Sequence, residues 1–280
     1  MIGLGDVVLV CTAWRRPAYL EQTLASWARA RGVGKLGGLV VALGPSDVMS
    51  EQIDVIKHGA HAMGLEDRLI ITPDSAAAQA SPGMHRALGE TLSAVRKLRL
   101  PNGPPGSAGE PARAVICAEE DITVSDDVLE YLAWALGRFE ADPLAAAVCA
   151  HDASGQGWHI PGIGQQGIGA DQAEVVLAAD FNPWVWATWA GRKLDFLLGH
   201  WDWDATTGPV AWQHGYDWQI LRLIQQRGLH AVMPSASRSQ NIGRDGGYYA
   251  RPELFDQTLS ASFRRHRDPV AYRLIGEHHG

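Results

Sequence analysis

The chain has 280 residues, 46% of them apolar and 20% charged, and its 24 basic and 31 acidic residues give a formal net charge of −7. This composition excludes an intrinsically disordered protein, a collagen and a disulfide-stapled miniprotein, and the length suits one large or two small domains. The negative balance argues against nucleic acid or an anionic membrane as the principal partner.

The first half of the chain alternates apolar, β-branched runs with amphipathic segments, a pattern typical of a mostly parallel α/β sheet. Right-handed crossovers are expected between the strands. The predicted elements are, in chain order, strand 7–14, a helix from Pro17, strand 38–44, helix 50–64, strand 68–72, helix 83–99, strand 112–121, helix 126–140 and strand 145–152. From residue 151 onward the alternation fades, and Gly, Trp and His become more frequent.

A Pro- and Gly-rich stretch, PNGPPGSAGEPA (101–112), separates helix 83–99 from the strand that follows. Such a composition suits either a domain linker or a surface loop. Because the next strand has the apolar composition of a central, buried one, we predict a surface loop within one domain.

Three cysteines, Cys11, Cys117 and Cys149, lie far apart in the sequence, and each adjoins apolar residues. We therefore expect buried, reduced thiols, as in a cytosolic protein. The N-terminal sequence has no signal-peptide pattern, and no apolar run approaches the ~20 residues that span a bilayer. The sequence thus predicts a soluble, cytoplasmic protein with no membrane partner.

Acidic residues follow one of the predicted strands directly. Open parallel sheets bind ligands beyond the carboxyl ends of their strands, and Glu119, Glu120 and Asp121 are expected at that edge. The mutual repulsion of three carboxylates favours a cation, and hard oxygen ligands suit Mg²⁺ or Mn²⁺ shared with phosphates and water. The alternative is an acidic cap that complements the dipole of the next helix.

Basic residues follow the first predicted strand. Arg15, Arg16 and Pro17 lie where a guanidinium and a helix N-terminus can together hold a diphosphate. The alternative is a pair of solvated arginines. His85 and Arg86, at the start of another predicted helix, are weaker candidates of the same kind.

Asp217 opens the amphipathic segment GYDWQILRLIQQRG. If it faces a cleft it is placed as a general base, and otherwise it compensates the helix dipole. Asp202 and Asp204 have the D-x-D spacing of nucleotide-sugar metal sites, but no apolar strand precedes them. An edge segment with solvated acids is the simpler interpretation of that pair.

Seven of the 11 tryptophans fall between residues 184 and 218. They form either the core of an irregular second half or flat surfaces on which an acceptor stacks. The acceptor-binding candidates are Trp184, Trp186, Trp212 and Trp218. No zinc, P-loop, G-x-S-x-G or G-x-G-x-x-G motif is present in the sequence.

Five segments occur in a characteristic order: VVLVCTAWRRPAYLEQTLASW, AVICAEEDITVSDDVLEYL, HGYDWQILRLIQQRG, SRSQNIGRDG and LFDQTL. This series resembles the N-acetylglucosaminyltransferase I family (glycosyltransferase family 13) over roughly residues 6 to 260. The most specific part is the spacing S-R-x-x-x-x-G-R-x-G followed by F-D-Q-x-L.

The resemblance implies a glycosyltransferase A-type fold in a single domain, with a nucleotide-sugar-binding half (1–150) and an acceptor and catalytic-base half (151–280). It also implies inverting transfer that depends on Mn²⁺ or Mg²⁺, with UDP-N-acetylglucosamine as the family donor. By position, Arg16 meets the donor diphosphate, Asp121 binds the metal and Asp217 is the general base.

The resemblance further implies that Glu119 and Glu120 face the donor sugar and nucleotide, and that residues 237–246 fold over the donor as a lid. The predicted donor-binding residues are Thr12, Arg16, Asp47, His85, Arg86, Glu119, Glu120, Ser237, Arg238 and Ser239. The chain departs from the family pattern at Glu120, where Asp is usual, and at Tyr216, which replaces the acid before the base. Asp47 matches the acid that reads uracil only after a local shift.

The sequence therefore predicts an inverting, metal-dependent hexosyl- or N-acetylhexosaminyltransferase with a UDP-sugar donor and a small-molecule or saccharide acceptor. A hydroxylated base in DNA is an alternative acceptor, because the run Arg264-Arg265-His266-Arg267 can grip a backbone and the Trp cluster can hold a flipped base. The other interpretation of that basic run is a solvated helix end. Alternatives of another class are a sugar-phosphate nucleotidyltransferase and a non-catalytic protein that binds sugar nucleotides.

Overall fold

The fold is a mixed α/β arrangement around one large sheet. The computed structural model describes residues 2–44, 47–73, 84–100, 109–151, 173–201, 203, 215–245, 252–253, 255 and 268–275. The described strands are β1 (Val7–Ala13), β2 (Gly38–Leu43), β3 (Leu69–Pro73), β4 (Arg99–Leu100), β5 (Glu110–Pro111), β6 (Ala114–Glu119), β7 (Ile122–Val124), β8 (Ala145–Cys149), β9 (Glu174–Ala178), β10 (Trp186–Trp189), β11 (His230–Pro234), β12 (Ser239–Asn241) and β13 (Arg273–Leu274). The described helices are α1 (Pro17–Arg29), α2 (Met49–Ala62), α3 (Met84–Val95), α4 (Val128–Arg138), α5 (Arg192–Gly199) and α6 (Tyr216–Arg227).

Nine of the described strands form one sheet in the order β13-β9-β11-β8-β10-β6-β1-β2-β3. The run β6-β1-β2-β3 is parallel throughout, and β11 is parallel to β8. The strand β10 runs antiparallel between β6 and β8, and β9 runs antiparallel to β11. The sheet is therefore mostly parallel, as the alternation of strand and helix patterns predicts, and strands from both sides of residue 150 belong to it.

Helices cover both faces of the sheet, which explains why β1 is a continuous apolar run with every residue buried. Leu9 packs in one cluster with Leu24 and Trp27 of α1. Val10 packs in a second cluster, on the opposite face, with Leu88 of α3 and Ile224 of α6. Because successive side chains of a strand point to opposite faces, one strand supplies the core of both layers.

The predicted elements of the first half agree with the structure to within a few residues. The largest difference is the predicted helix 83–99, because α3 ends at Val95 and the chain then enters the short strand β4. In the predicted loop 101–112, residues 101–108 lie outside the described part. On either side of them β4 pairs antiparallel with β5, so the chain returns to the same place and continues as the central strand β6.

The three cysteines are buried and none forms a disulfide. Burial raises the pKa of each thiol well above its usual range. The prediction of packed, reduced core thiols is confirmed. In the described part of the chain, no helix combines the length and apolar character needed to cross a bilayer.

Candidate functional site

The carboxyl ends of two neighbouring strands bring the basic turn and the acidic turn together. In the parallel pair of β1 and β6, Thr12 lies opposite Glu119. The chain after β1 leads to Arg16, which is the residue before α1, and the chain after β6 continues with Glu120 and Asp121. The sheet register therefore fixes the relation between these two turns.

Arg16 forms ion pairs with two of the three acids. Its Nε donates to Oε1 of Glu120 at 2.8 Å, and its Nη2 lies 2.9 Å from Oδ2 of Asp121. The other oxygen of Glu120 accepts from the backbone N–H of Trp14 at 2.6 Å, and the Glu120 carbonyl accepts from the hydroxyl of Thr23 at 2.8 Å. Glu120 thus has both carboxylate oxygens engaged in holding the turn that carries Arg16.

Asp121 has one carboxylate oxygen that lacks a hydrogen-bond partner in the described part of the chain. Its Oδ1 is buried and makes no hydrogen bond to the described residues, and the same is true of Nη1 of Arg16. Burial raises the pKa of Asp121, and the charge of Arg16 opposes that rise. A buried donor and a buried acceptor left unpaired side by side are unusual in a protein interior and are expected to meet a ligand or an ion.

This donor set fits a divalent cation that shares its coordination with a substrate. A lone hard oxygen, Oδ1 of Asp121, suits Mg²⁺ or Mn²⁺ if phosphate oxygens and water complete the shell. No group of three His, Cys, Asp or Glu side chains within the described ranges is arranged to hold a metal ion by itself. The residues therefore fit a metal held jointly by protein and diphosphate rather than a cage made of protein alone.

The segment around Gly243 lies directly against Asp121. β12 pairs antiparallel with β7, and the N–H of Ile242 donates to the carbonyl of Asp121 at 2.8 Å. A Cβ atom on Gly243 would collide with Oδ2 of Asp121 and would lie 2.9 Å from Nη1 of Arg16. Only a residue without a side chain fits here, so Gly243 closes one side of the Arg16–Asp121 pair. Farther along, the N–H of Asp245 donates to the hydroxyl of Tyr19 at 3.2 Å.

Three residues of the predicted lid, Ser237, Arg238 and Ser239, are predicted donor contacts, and in the structure each side chain has a partner within the protein. The hydroxyl of Ser239 donates to the carbonyl of Trp184 at 2.6 Å, and that of Ser237 lies 2.8 Å from Nδ1 of His151. The side chain of Arg238 is fully buried, and its Nε donates to Oδ2 of Asp127 at 3.0 Å. The structure thus places the Arg238 guanidinium in the core, paired with Asp127.

Asp217 lies in the first turn of α6, next to the acidic turn. The preceding residue, Tyr216, donates its hydroxyl to Oε1 of Glu119 at 2.8 Å. Burial raises the pKa of Asp217 to about 6, and the backbone N–H groups of Trp218 and of Asp217 itself oppose that rise. Burial raises the pKa of Glu119 most, and the charges of Asp121 and Asp217 raise it further, so each of these two carboxyl groups lies near Glu119.

The remaining donor candidates are less central. Thr12 is buried in β1, and Asp47 is exposed beyond the end of β2. His85 is buried, and its ring stacks on Trp201 with the centroids 4.7 Å apart. The side chain of Arg86 is outside the described part, as are residues 202, 204 and 212 and the basic run 264–267.

The acceptor candidates divide between core and site. Trp186 has no exposed surface and packs against Phe181, which agrees with the packing interpretation. Trp184 is 8% exposed and meets His151 edge to face, and Trp218 is partly buried on α6. Val185, between the two buried tryptophans, has a positive φ of 66° that is rare for a β-branched residue and marks a strained turn.

Sequence reasoning did not assign a role to Tyr216, Trp201 or Gly243. Tyr216 stood out only as a departure from the family pattern, and Gly243 only as one glycine of a lid. Trp201 belongs to the Trp-rich segment, and nothing in the spacing distinguishes it from its neighbours. The signal that could have found Tyr216 is its position immediately before the predicted base.

Comparisons with known proteins agree on the fold. No protein-family model and no curated protein matches the sequence. Residues 1–349 of TarS from S. aureus are similar in structure, with a TM-score of 0.52 and 12% identity over 83% of this chain and 59% of that one. The mannosyltransferase PcManGT from Pyrobaculum calidifontis, solved with GDP-Man and Mn²⁺, gives a TM-score of 0.50 and 16% identity over 82% of this chain and 54% of that one. This chain spans less than two thirds of either neighbour, and the likeness shows that it has the glycosyltransferase A-type fold.

Proposed function

We propose that this protein transfers a hexose or N-acetylhexosamine from a nucleoside diphosphate sugar to an acceptor hydroxyl, with inversion at the anomeric carbon. The observation that carries the proposal is the Arg16–Asp121 ion pair of 2.9 Å, in which each partner keeps one buried polar atom without a hydrogen-bond partner among the described residues. A guanidinium beside a carboxylate with an unpaired oxygen suits a diphosphate together with its metal ion. The fold, and the GDP-Man and Mn²⁺ in the complex of PcManGT, support the same class of donor.

The donor diphosphate is proposed to lie between Arg16 and the acidic turn. Nη1 of Arg16 donates to a phosphate oxygen, and the N-terminus of α1, which begins at Pro17, adds its positive dipole. Asp47, which is exposed beyond the end of β2, is the proposed contact for the nucleobase of the donor. UDP is the expected nucleotide on the strength of the resemblance to the N-acetylglucosaminyltransferase I family.

Oδ1 of Asp121 is the proposed protein ligand of Mn²⁺ or Mg²⁺. Bound there, the ion supplies positive charge that stabilises the leaving diphosphate. Glu120 is not proposed as a ligand, since each of its carboxylate oxygens already accepts a hydrogen bond from the turn that carries Arg16. The role of Glu120 is to orient the guanidinium toward the diphosphate.

Asp217 is the proposed general base. Its carboxylate takes the proton from the acceptor hydroxyl while that oxygen bonds to the anomeric carbon, and the bond from that carbon to the diphosphate oxygen breaks on the opposite face. Attack opposite the leaving group inverts the configuration. A base whose pKa is raised to about 6 is still ionised at neutral pH and accepts a proton more readily than an ordinary aspartate.

The acceptor is proposed to be a small molecule or a saccharide that contacts Trp184 and Trp218. Trp184 keeps 8% of its surface exposed near His151, and Trp218 follows the base directly on α6. Aromatic rings suit the apolar faces of sugars. Trp186 has no exposed surface and supports this region from within the core.

The proposal is tested by incubating the protein with UDP-, GDP- and TDP-sugars, with and without Mn²⁺, and measuring the release of nucleoside diphosphate and the anomeric configuration of the product. Asp217→Asn should bind nucleotide and metal but lose transfer by about 10²- to 10⁴-fold, the usual worth of a general base. Asp121→Asn should lose the Mn²⁺-dependent part of donor binding. Asp54→Asn, an exposed acid on α2, is the matched control and should behave as wild type.

Two results would contradict this function. Release of pyrophosphate instead of nucleoside diphosphate would indicate a nucleotidyltransferase. Nucleotide binding with neither transfer nor donor hydrolysis, over a panel of saccharide acceptors and hydroxylated DNA, would indicate a protein that only binds sugar nucleotides.

A further inference from the structure

Tyr216 connects the helix of the proposed base to the acidic turn. It is the first residue of α6, immediately before Asp217, and is 8% exposed. Its hydroxyl donates to Oε1 of Glu119 at 2.8 Å, and Glu119 is the last residue of β6. A hydrogen bond between a phenol and a half-buried carboxylate therefore joins these two elements.

The ring of Tyr216 is held by aromatic neighbours. Trp201 stacks parallel to it, with the ring centroids 6.0 Å apart and an angle of 8° between the planes, and Trp186 lies 6.3 Å away. His85 of α3 in turn stacks on Trp201 at 4.7 Å. Because the ring is confined in this way, the hydroxyl has little freedom to leave Glu119.

α3 fixes the position of this stack. A Cβ atom on Gly89 would lie 2.7 Å from Nε1 of Trp201 and 3.0 Å from the ring of Trp203, so the helix backbone approaches both indoles closely. The order of contacts is thus α3, Trp201, Tyr216 and Glu119. Each contact joins a different element, which makes the stack a rigid support for the beginning of α6.

The residue before α6 is Gly215, which has no side chain and so makes no capping hydrogen bond to the first turn of the helix. The hydrogen bond of Tyr216 is a contact that ties this turn to the sheet. Because Asp217 follows directly, a shift of the Tyr216 backbone moves the carboxylate as well.

We propose that Tyr216 is a positioning residue: through its hydrogen bond to Glu119 and its stacking on Trp201, it sets the place of Asp217 relative to the Arg16–Asp121 pair. This inference rests on the proposed function. It gives Glu119 the role of an anchor for α6, with one of its oxygens committed to the tyrosine.

The test is Tyr216→Phe, which keeps the ring and its stacking but removes the hydroxyl. We expect kcat to fall about 10- to 100-fold, the loss typical of a misplacement of about 1 Å in a catalytic group. The KM and Kd of the donor should stay within about threefold of wild type, because neither Arg16 nor Asp121 contacts Tyr216. Trp201→Phe, which alters the stack but keeps the hydroxyl of Tyr216, should also lower kcat.

Tyr131→Phe is the matched control. This tyrosine is fully buried, and its hydroxyl donates to the carbonyls of Cys149 at 3.1 Å and Val232 at 3.3 Å. The variant loses a comparable buried hydroxyl away from the acidic turn. It should lower the melting temperature without changing kcat, so a loss of kcat from general destabilisation is separated from a loss through positioning.

Crystal structures of wild type and Tyr216→Phe provide a readout that does not depend on turnover. The inference expects the Asp217 carboxylate of the variant to be displaced from its wild-type position relative to Asp121. If Asp217 stays in place, or if kcat remains within about twofold of wild type, the positioning role is wrong. If wild type turns over no nucleotide sugar, the proposed function fails, and the displacement of Asp217 still decides whether Tyr216 positions it.

Discussion

Arg16 and Asp121 meet at 2.9 Å although they belong to turns that are distant in sequence, and each keeps a buried polar atom without a partner in the described structure. The parallel pairing of β1 with β6 brings them together. Charges of opposite sign at this distance ordinarily satisfy one another. Under the proposed function, these unpaired atoms are the ones that would meet the diphosphate and its metal ion.

Arg16→Lys tests the geometry of this pair. A lysine ammonium is a point charge and cannot serve Glu120, Asp121 and a phosphate in one plane as the guanidinium does. Losing one hydrogen bond to a charged group costs about 1.5–3 kcal/mol, which corresponds to a Kd for nucleoside diphosphate that is about 10- to 100-fold weaker in isothermal titration calorimetry.

The control for that measurement is Arg15→Lys. Arg15 is exposed, and its guanidinium lies 5.1 Å from the ring centre of Trp14. Its replacement should leave the affinity for nucleotide nearly unchanged. Unchanged affinity of Arg16→Lys, which keeps the positive charge, would mean that charge alone, and not the fork of Arg16, governs binding.

Gly243→Ala tests the close approach of the chain after β12 to the carboxylate of Asp121. The added methyl group would collide with Oδ2 of Asp121, so either the carboxylate or the segment around residue 243 has to move. We expect a loss of about 1–3 kcal/mol in the free energy of unfolding, as for other overpacked sites, together with weaker Mn²⁺-dependent nucleotide binding. Urea denaturation and calorimetry measure the two effects.

Gly199→Ala is the matched glycine variant, since a Cβ atom at Gly199 meets nothing within 4 Å. It should leave both the stability and the affinity close to wild type. If Gly243→Ala binds nucleotide and Mn²⁺ as tightly as Gly199→Ala does, the contact between residue 243 and Asp121 has no role in the site.

The pH dependence of transfer should follow Asp217. Its pKa is raised to about 6, mainly by burial, and only the ionised carboxylate accepts a proton. The rate should therefore fall tenfold per pH unit below about 6 and should level off above it. An acidic limb near pH 4, the range of an ordinary aspartate, would contradict the assignment of Asp217 as the base.

The same shift makes a prediction for stability. A carboxyl group whose pKa is higher in the folded state than its value of 3.8 in the unfolded chain binds more protons when folded, so its contribution to stability declines as the pH rises from about 4 to about 6. Asp217→Asn removes the ionisable group and with it this loss of stability at higher pH. Because the side chain is partly exposed, we expect the inactive variant to be more stable than wild type at pH 7 by about 1–2 kcal/mol. Equal stability of the two at pH 7 would contradict the burial of this charge.

The sequence is sufficient for the strands β1, β2, β3, β6 and β8 and for the edge at which the candidate site lies, because both follow from local patterns. It does not predict β9, β10, β11 and β13 of the same sheet, since the alternation fades after residue 150. β-branched runs identify the strands, and the rule that parallel sheets bind ligands at their carboxyl ends selects Arg16, Glu120 and Asp121. The partners of Tyr216 could not be predicted, since its ring meets Trp201 and its hydroxyl meets Glu119 only after α3, α5 and α6 have packed on the sheet.

Arg238 is a residue whose surroundings the sequence alone does not predict. Its place in the segment SRSQNIGRDG predicts a donor contact, and its complete burial against Asp127 follows from long-range packing. The guanidinium also lies 4.8 Å from the ring centre of Tyr131 and 5.1 Å from that of Tyr272. The ion pair and the two rings therefore hold α4, the start of β12 and the C-terminal strand β13 together.

Arg238→Met is the variant that distinguishes these roles. It removes the charge and leaves the Asp127 carboxylate buried without this partner, which costs about 3–5 kcal/mol when one member of a buried ion pair is lost. Urea denaturation should show that loss, while the fraction that remains folded should bind nucleoside diphosphate with wild-type Kd, because the guanidinium is fully buried against Asp127. A stable variant with weakened nucleotide binding would reverse this conclusion and restore Arg238 to the donor site.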